Sequence, residues 1–144
     1  MTNKLIKSLI QIDSEEQMLD LGAKLFHLIQ EPKVIALHGT LGAGKSTLVR
    51  GFIHAFSQEE VPSPTFTLLQ TYTGPKCDIF HFDFYRLENP EDALELNIEE
   101  AFYSGICFLE WPEKIGKLLP KKRLDITITP LEDNKRLISF AEHL

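Results

Sequence analysis

The segment with the clearest chemical potential is residues 39–46, which read Gly-Thr-Leu-Gly-Ala-Gly-Lys-Ser. They fit the phosphate-binding pattern G-x-x-x-x-G-K-[ST]. Glycines in such a loop let consecutive backbone N–H groups point at one polyphosphate. Lys45 is spaced to reach the β- and γ-phosphates, and the Ser46 hydroxyl is spaced to coordinate Mg²⁺. The pattern predicts a nucleoside triphosphate site.

The flanking segments fit the structural context that this loop requires. Residues 34–38 form a short apolar, β-branched run, which is typical of a buried strand. Residues 47–56 carry apolar side chains at helical spacing. Strand, glycine loop and helix follow in the order of a phosphate-binding unit, and the positive end of the helix dipole adds to anion binding.

A phosphate-binding loop also needs a carboxylate on the metal side, usually at the end of an apolar strand. Glu110 follows the continuous apolar run 106–109, and Asp83 ends the alternating run 79–82. Continuous runs are typical of strands buried on both faces. We therefore favour Glu110 as the Mg²⁺ ligand, directly or through water. Capping of the next turn is the alternative, and for Asp83 the two interpretations balance.

Four further side chains have both a functional and a structural interpretation. Thr65, in the proline-stiffened run 63–66, is a candidate sensor of the γ-phosphate or simply the start of a strand. His81 alternates with phenylalanines, which favours a packed core histidine. Arg86 suits phosphate neutralisation or a surface ion pair. Trp111, the only tryptophan, suits the site, a partner interface or the core equally well.

The remaining patterns predict an α/β domain with a mixed parallel and antiparallel sheet. Ser14 and Gln17 form a capping box for a helix with an apolar stripe. Asn89 and Pro90 start another helix, and residues 98–103 add a short one. Further strands are predicted at 5–12, 66–72, 78–83, 106–109, 124–129 and 137–141, two pairs of which form hairpins.

Composition narrows the class of protein. A chain of 144 residues predicts a single domain, 1–144, with little room for a substrate lid, so its target is expected to be another macromolecule. The net charge of −6 opposes unaided binding to DNA or RNA. No apolar run is long enough for a membrane span, and no signal-peptide pattern is present. Cys77 and Cys107 lack metal-site spacing, so a cytoplasmic location is expected.

Five segments together are similar to one protein family. They are MLDLG (18–22), LGAGKST (41–47), SPTF (63–66), HFDFYRL (81–87) and EWPE (110–113). In this order and spacing they resemble the bacterial TsaE (YjeE) family of small P-loop ATPases, over nearly the whole chain. The resemblance implies a three-layer P-loop NTPase-like domain that uses ATP and Mg²⁺.

The resemblance also implies a role. Family members hydrolyse ATP, weakly when alone, to support threonylcarbamoyl (t6A) modification of the tRNA adenosine next to the anticodon. They act with TsaB and TsaD, TsaD carries the transfer chemistry, and tRNA is reached through that complex.

The resemblance implies site roles by matching position. The residues implied to bind the nucleotide are Leu41, Gly42, Ala43, Gly44, Lys45, Ser46 and Thr47, with Glu15 near the base. The residues implied to hold the metal are Ser46 and Glu110. The residues implied to take part in catalysis are Lys45, Asp83, Glu110 and Thr65.

Two positions depart from the family pattern. Thr40 stands where family members often carry an acid, so a role for such an acid in ordering the attacking water is in doubt for this chain. Ser46 stands where threonine is common.

Two alternative functions are a small-molecule kinase and a GTP-dependent binding switch. A small-molecule kinase usually needs an arginine-bearing lid, for which only 121–123 is a candidate. A GTP-dependent binding switch usually carries N-K-x-D, but Asn134-Lys135-Arg136 is followed by Leu137, so ATP is preferred.

Overall fold

The computed structural model describes residues 9–143, in which helices cover both faces of a seven-stranded sheet. The strands are β1 (Leu9–Ile12), β2 (Lys33–His38), β3 (Leu69–Tyr72), β4 (Ile79–Asp83), β5 (Ile106–Glu110), β6 (Arg123–Pro130) and β7 (Arg136–His143). The α-helices are α1 (Glu15–Leu28), α2 (Lys45–His54) and α3 (Ile98–Ser104). Short 3₁₀ segments span Pro90–Leu96, Pro112–Leu118 and Glu132–Asn134.

The sheet is mixed, as the sequence predicted. Its strand order is β1-β7-β6-β2-β5-β4-β3. The pairs β6–β2, β2–β5 and β5–β4 are parallel, whereas β1–β7, β6–β7 and β3–β4 pair antiparallel. The carboxyl ends of β2, β5 and β4 therefore meet at one edge. There Glu110 is the register partner of both Leu37 and Asp83.

Two apolar layers enclose the sheet. On one face α1 and α2 pack on the strands, and the rings of Phe52 and Phe108 meet edge to face at 4.9 Å. On the other face α3 and the 3₁₀ segments Pro90–Leu96 and Pro112–Leu118 cover β4 and β5, where Phe82 and Phe84 stack at 5.5 Å. All four rings are fully buried, so the strands that carry the site are held from both sides.

Helix α1 begins as predicted. The Ser14 hydroxyl accepts a hydrogen bond of 3.1 Å from the Gln17 amide nitrogen. The Gln17 side chain accepts in return from the amide of Asp13 at 2.7 Å, one residue before the expected partner. The reciprocal bonds satisfy free donors at the helix start, so the capping box is confirmed with a shifted return bond.

Glycines let α1 and α2 cross at backbone contact. A Cβ atom added at Gly51 would lie 2.2 Å from the Leu19 carbonyl oxygen, and one at Gly22 would lie 2.3 Å from that of Leu48. Larger residues would force the helices apart. This close crossing fixes α2, whose first turn carries Lys45 and Ser46.

Several predicted boundaries were wrong. The strand predicted from 66 begins at Leu69, because Leu68 has a φ of 67° and its amide turns back to Pro64 at 2.6 Å. The helix predicted at 47–56 spans Lys45–His54, because the loop lysine already lies in its first turn. The helix predicted at Asn89 is a 3₁₀ segment, and the Asn89 side chain forms no cap bond. Of the strand predicted at 5–12, residues 5–8 lie outside the described range.

Candidate functional site

The glycine loop joins β2 to α2 in the predicted order. Gly42 and Gly44 adopt φ values of +77° and +112°, which are strained for any residue with a Cβ atom. The Lys45 ammonium donates a 2.9 Å hydrogen bond to the Gly39 carbonyl oxygen. This hydrogen bond joins the two ends of the loop and holds the Lys45 side chain beside the glycines.

Lys45 is buried among opposite charges and one aromatic ring. Its Nζ lies 4.1 Å from the ring centre of Trp111. Burial lowers the pKa of Lys45, while the nearby Glu110, Asp83 and Glu113 carboxylates oppose this shift without cancelling it. A desolvated cation held in place is well suited to an incoming polyanion, because little water remains to be displaced from it.

Glu110 accepts two hydrogen bonds on the same oxygen. Its Oε2 accepts from the Ser46 hydroxyl at 2.9 Å and from His81 Nε2 at 2.6 Å. Burial raises the pKa of Glu110, but the bonds from His81 and Ser46 and the charge of Lys45 outweigh burial and hold that pKa below its usual value. Glu110 is therefore a buried, ionised carboxylate beside the loop hydroxyl.

Asp83 is the second acid at this edge. Its Oδ2 accepts from the Thr65 hydroxyl at 2.9 Å, and its Oδ1 accepts from the Tyr85 amide at 2.9 Å. The Ser63 hydroxyl lies 2.9 Å from that of Thr65. Thr65 is thus tied to the acid from the 63–66 loop, and it does not begin a strand.

These groups line one open cavity of about 330 Å³. Its walls contain the predicted residues Leu41, Gly42, Ala43, Gly44, Lys45, Ser46, Thr47, Thr65, Asp83 and Glu110, together with Ser63, Tyr85 and Trp111. Glu15 lines a neighbouring cavity of about 310 Å³ that shares part of the glycine loop, and it also pairs with Arg50 at 3.0 Å. The structure thus gathers the predicted site residues into two adjoining cavities.

Sequence reasoning missed Arg136. From the start of β7, its Nε donates to the Ala43 carbonyl oxygen at 2.8 Å and its Nη2 donates to that of Gly42 at 3.4 Å. Arg136 therefore holds the glycine loop at Ala43, which lies 93 residues earlier in the chain. No local signal around Arg136 indicates this contact, because it joins segments far apart in the chain.

Three other candidates now have defined places. His81 is fully buried, as expected, but it contacts Glu110 and is not simply packed in the core. Trp111 lies at the site, tilted against the Tyr85 ring at 5.0 Å. Arg86 lies 4.7 Å from the ring centre of Phe66 and, within residues 9–143, takes part in no ion pair.

The donor set fits magnesium bound together with phosphate. Ser46 and Glu110 offer hard oxygen atoms to one point of the cavity, as Mg²⁺ requires. In the described part of the chain, no group of three His, Cys, Asp or Glu side chains could hold a metal ion alone. Mg²⁺ is commonly bound by one or two protein ligands, with phosphates and water completing its shell.

The strand, glycine loop and helix beside a mixed, doubly covered sheet define an α/β protein of the P-loop type. A family model described as "Threonylcarbamoyl adenosine biosynthesis protein TsaE" matches residues 12–138. The chain belongs to this TsaE family, which functions in t6A biosynthesis for tRNA.

Known proteins agree with this assignment. A tRNA threonylcarbamoyladenosine biosynthesis protein TsaE from Rickettsia conorii is 38% identical, with 90% of this chain and 75% of the relative covered. The protein of that name from Bacillus subtilis is 37% identical, with 83% and 76% covered. The crystal structure of Bacillus subtilis YdiB superposes with a TM-score of 0.81 at 27% identity, covering 95% of this chain and 86% of that one.

In residues 9–143, no helix is both long and apolar enough to cross a membrane.

Proposed function

We propose that this protein binds ATP with Mg²⁺ and hydrolyses it to support t6A modification of tRNA, acting with TsaB and TsaD. The observation that carries the proposal is the hydrogen bond of 2.9 Å between Ser46 and Glu110, on the wall of the cavity that Lys45 shares. It brings a loop hydroxyl and a strand-end carboxylate together, as P-loop nucleotide hydrolysis requires.

Each loop residue then has a task in binding. Leu41–Ser46 surround the phosphates, and Lys45 exchanges its bond with the Gly39 carbonyl for phosphate oxygens. Ser46 and Glu110 would hold Mg²⁺, which would supply positive charge to neutralise the phosphates. The base lies towards Glu15, in the adjoining cavity.

Asp83 and Thr65 are the residues that we assign to the hydrolysis step. Asp83 has both carboxylate oxygens bonded, so its direction is fixed. Thr65 lies on the 63–66 loop, outside regular secondary structure, and its hydroxyl is the link between that loop and the acid. The γ-phosphate is expected to attract this hydroxyl, and loop position would then report whether ATP is present.

Residues 9–143 form one sheet with its covering helices, and the family's role in t6A biosynthesis supports a macromolecular target. We therefore propose slow hydrolysis by the protein alone and stimulation, or nucleotide-controlled assembly, with a TsaB–TsaD complex. Contact with tRNA would be indirect, which accords with the net charge of −6. A cytoplasmic location follows from this role, and Cys77 and Cys107 are free thiols.

Replacing Lys45 tests the site. We expect Lys45→Ala to abolish ATP hydrolysis, because the cation facing the phosphates is lost. Lys117→Ala, at an exposed lysine of the Pro112–Leu118 segment, is the matched control and should hydrolyse ATP like the parent protein. Steady-state phosphate release measures both variants. Equal rates in Lys45→Ala and the parent would remove this loop as the active site.

Partner binding tests the wider role. Immobilised protein is mixed with purified TsaB and TsaD, with and without ATP and Mg²⁺, and the recovered complex is assayed for t6A on tRNA. Retention that depends on nucleotide, together with t6A formation, is the expected result. Rapid ATP turnover with a small-molecule phosphate acceptor and no partner would contradict the proposal.

A further inference from the structure

We propose that His81 is a positioning residue that fixes the Glu110 carboxylate for Mg²⁺, an inference that rests on the proposed function. His81 is fully buried on β4, two residues before Asp83. Its Nε2 lies 2.6 Å from Glu110 Oε2, across the parallel β4–β5 pair. His81 therefore contacts Glu110 but is not among the residues that line the cavity.

The chemistry of the two groups fixes the direction of this hydrogen bond. An ionised carboxylate only accepts, so the proton must be on His81 Nε2. The other ring nitrogen, Nδ1, is buried and has no hydrogen-bond partner among residues 9–143. The hydrogen bond to the carboxylate therefore requires a hydrogen on Nε2 of His81.

The bond limits how Glu110 can turn. His81 and Ser46 both donate to Oε2, from two different elements, β4 and α2. Within residues 9–143 Oε1 takes part in no hydrogen bond, and Glu110 lines the cavity. Because Glu110 Oε2 accepts both of these hydrogen bonds, Oε1 is the oxygen left to face the ion or one of its bound waters. Without His81 only Ser46 would restrain the carboxylate.

Partners of this kind tune metal affinity. Residues that orient a ligating group typically change metal affinity about 10–100-fold when they are replaced. Phosphate binding through the glycine loop and Lys45 involves no contact with His81. Loss of His81 should therefore weaken the Mg²⁺-dependent part of nucleotide binding and spare the metal-free part.

Three variants separate positioning from packing. His81→Leu removes the donor, and His81→Gln keeps an N–H donor near the position of Nε2. Phe82→Leu is the matched control, because Phe82 is a fully buried neighbour in the other apolar layer. Calorimetry measures binding of a non-hydrolysable ATP analogue in chelator and at increasing Mg²⁺ concentrations. Circular dichroism checks that each variant is folded.

We expect His81→Leu to raise the Mg²⁺ concentration at half-maximal binding by about 10–100-fold, while affinity in chelator stays within about twofold. His81→Gln should recover most of the effect, and Phe82→Leu should show none. An unchanged Mg²⁺ midpoint in folded His81→Leu, or an equal shift in Phe82→Leu, would overturn the proposal.

A spectroscopic measurement on the unaltered protein avoids any folding problem. Nitrogen-15 NMR of the metal-free chain reports the tautomer of each imidazole, and we expect hydrogen on Nε2 of His81. A ring protonated only on Nδ1 cannot donate to Glu110 and would overturn the inference. Failure of the parent protein to bind any nucleotide would instead refute the proposed function, so the two failures are distinguishable.

Discussion

At the scale of single residues, Thr65 is the side chain whose role can be separated most cleanly from binding. Its hydroxyl bonds to Asp83 at 2.9 Å, and Val keeps its shape without that bond. Because hydrogen bonds to charged groups contribute about 1.5–3 kcal/mol, we expect Thr65→Val to slow ATP hydrolysis about 10–100-fold. ATP affinity should remain within about twofold.

The neighbouring Thr67 supplies the control for this prediction. Its exposed hydroxyl lies 3.5 Å from the Pro64 carbonyl oxygen, and it has no bond to Asp83. Thr67→Val should retain the parent rate in the same phosphate-release assay. If both variants hydrolyse ATP at the parent rate, Thr65 has no part in the reaction.

Sequence alone located the residues that lie in local patterns. Lys45 and Ser46 belong to one continuous motif, and Glu110 follows an apolar run whose strand is buried as predicted. His81 and Arg136 gained no role at the site from the sequence, because their contacts join segments far apart in the chain. Such contacts depend on strand order, which no local pattern encodes.

At the scale of elements, the α1–α2 crossing sets the position of the glycine loop. Gly51→Ala would place a Cβ atom 2.2 Å from the Leu19 carbonyl oxygen, a backbone atom that cannot move independently. Overpacking typically costs about 1–3 kcal/mol, which exceeds the gain of about 1 kcal/mol in helix propensity. We expect a net loss of stability in urea denaturation.

Lys24→Ala, on the exposed face of α1, controls for changes in helix propensity. It should shift the free energy of unfolding by no more than about 0.5 kcal/mol. A Gly51→Ala protein as stable as the parent would mean that the helices separate at no cost, and that the close crossing does not hold α2 in place.

Element types were more predictable than element ends. The apolar stripe and the capping box located α1 because both are local signals. The strand start at Leu69 was missed because Leu68 takes a positive φ that leucine rarely adopts. The surrounding fold imposes that turn against local preference, so propensity could not reveal it.

At the scale of the whole molecule, the mixed α/β class was predictable but the strand order was not. Two of the three antiparallel pairs, β3–β4 and β6–β7, followed from short connections. The placing of β2 between β5 and β6 rests on long-range parallel pairing. It brings the β2 end, with its loop, next to Glu110, so the complete site is a property of the fold rather than of any segment.

One carboxylate joins three strands of this sheet, and it makes global stability depend on pH. Asp125 on β6 bonds to His38 on β2 at 2.9 Å, to His143 on β7 at 2.7 Å and to its neighbour Arg123 at 2.9 Å. Burial raises the pKa of Asp125, but these bonds outweigh burial and hold it below the ordinary 3.8. A lowered pKa in the folded state means that the unfolded chain takes up the proton first as the pH falls.

The stabilisation from Asp125 should therefore be complete above the ordinary carboxyl pKa and disappear as the pH falls through the lower, folded value. We expect Asp125→Asn to reduce the free energy of unfolding by about 2 kcal/mol at pH 7, since bonds to a charged group are lost. The difference from the parent protein should shrink steadily below pH 3.8.

Urea denaturation at several pH values measures this difference in the free energy of unfolding. Glu110 makes the same pH-dependent contribution to both proteins, so its contribution cancels in the difference. Asp20→Asn, at an exposed carboxylate of α1, should follow the parent curve. A difference that stays constant down to strong acid would show that charge on Asp125 does not tie these strands together.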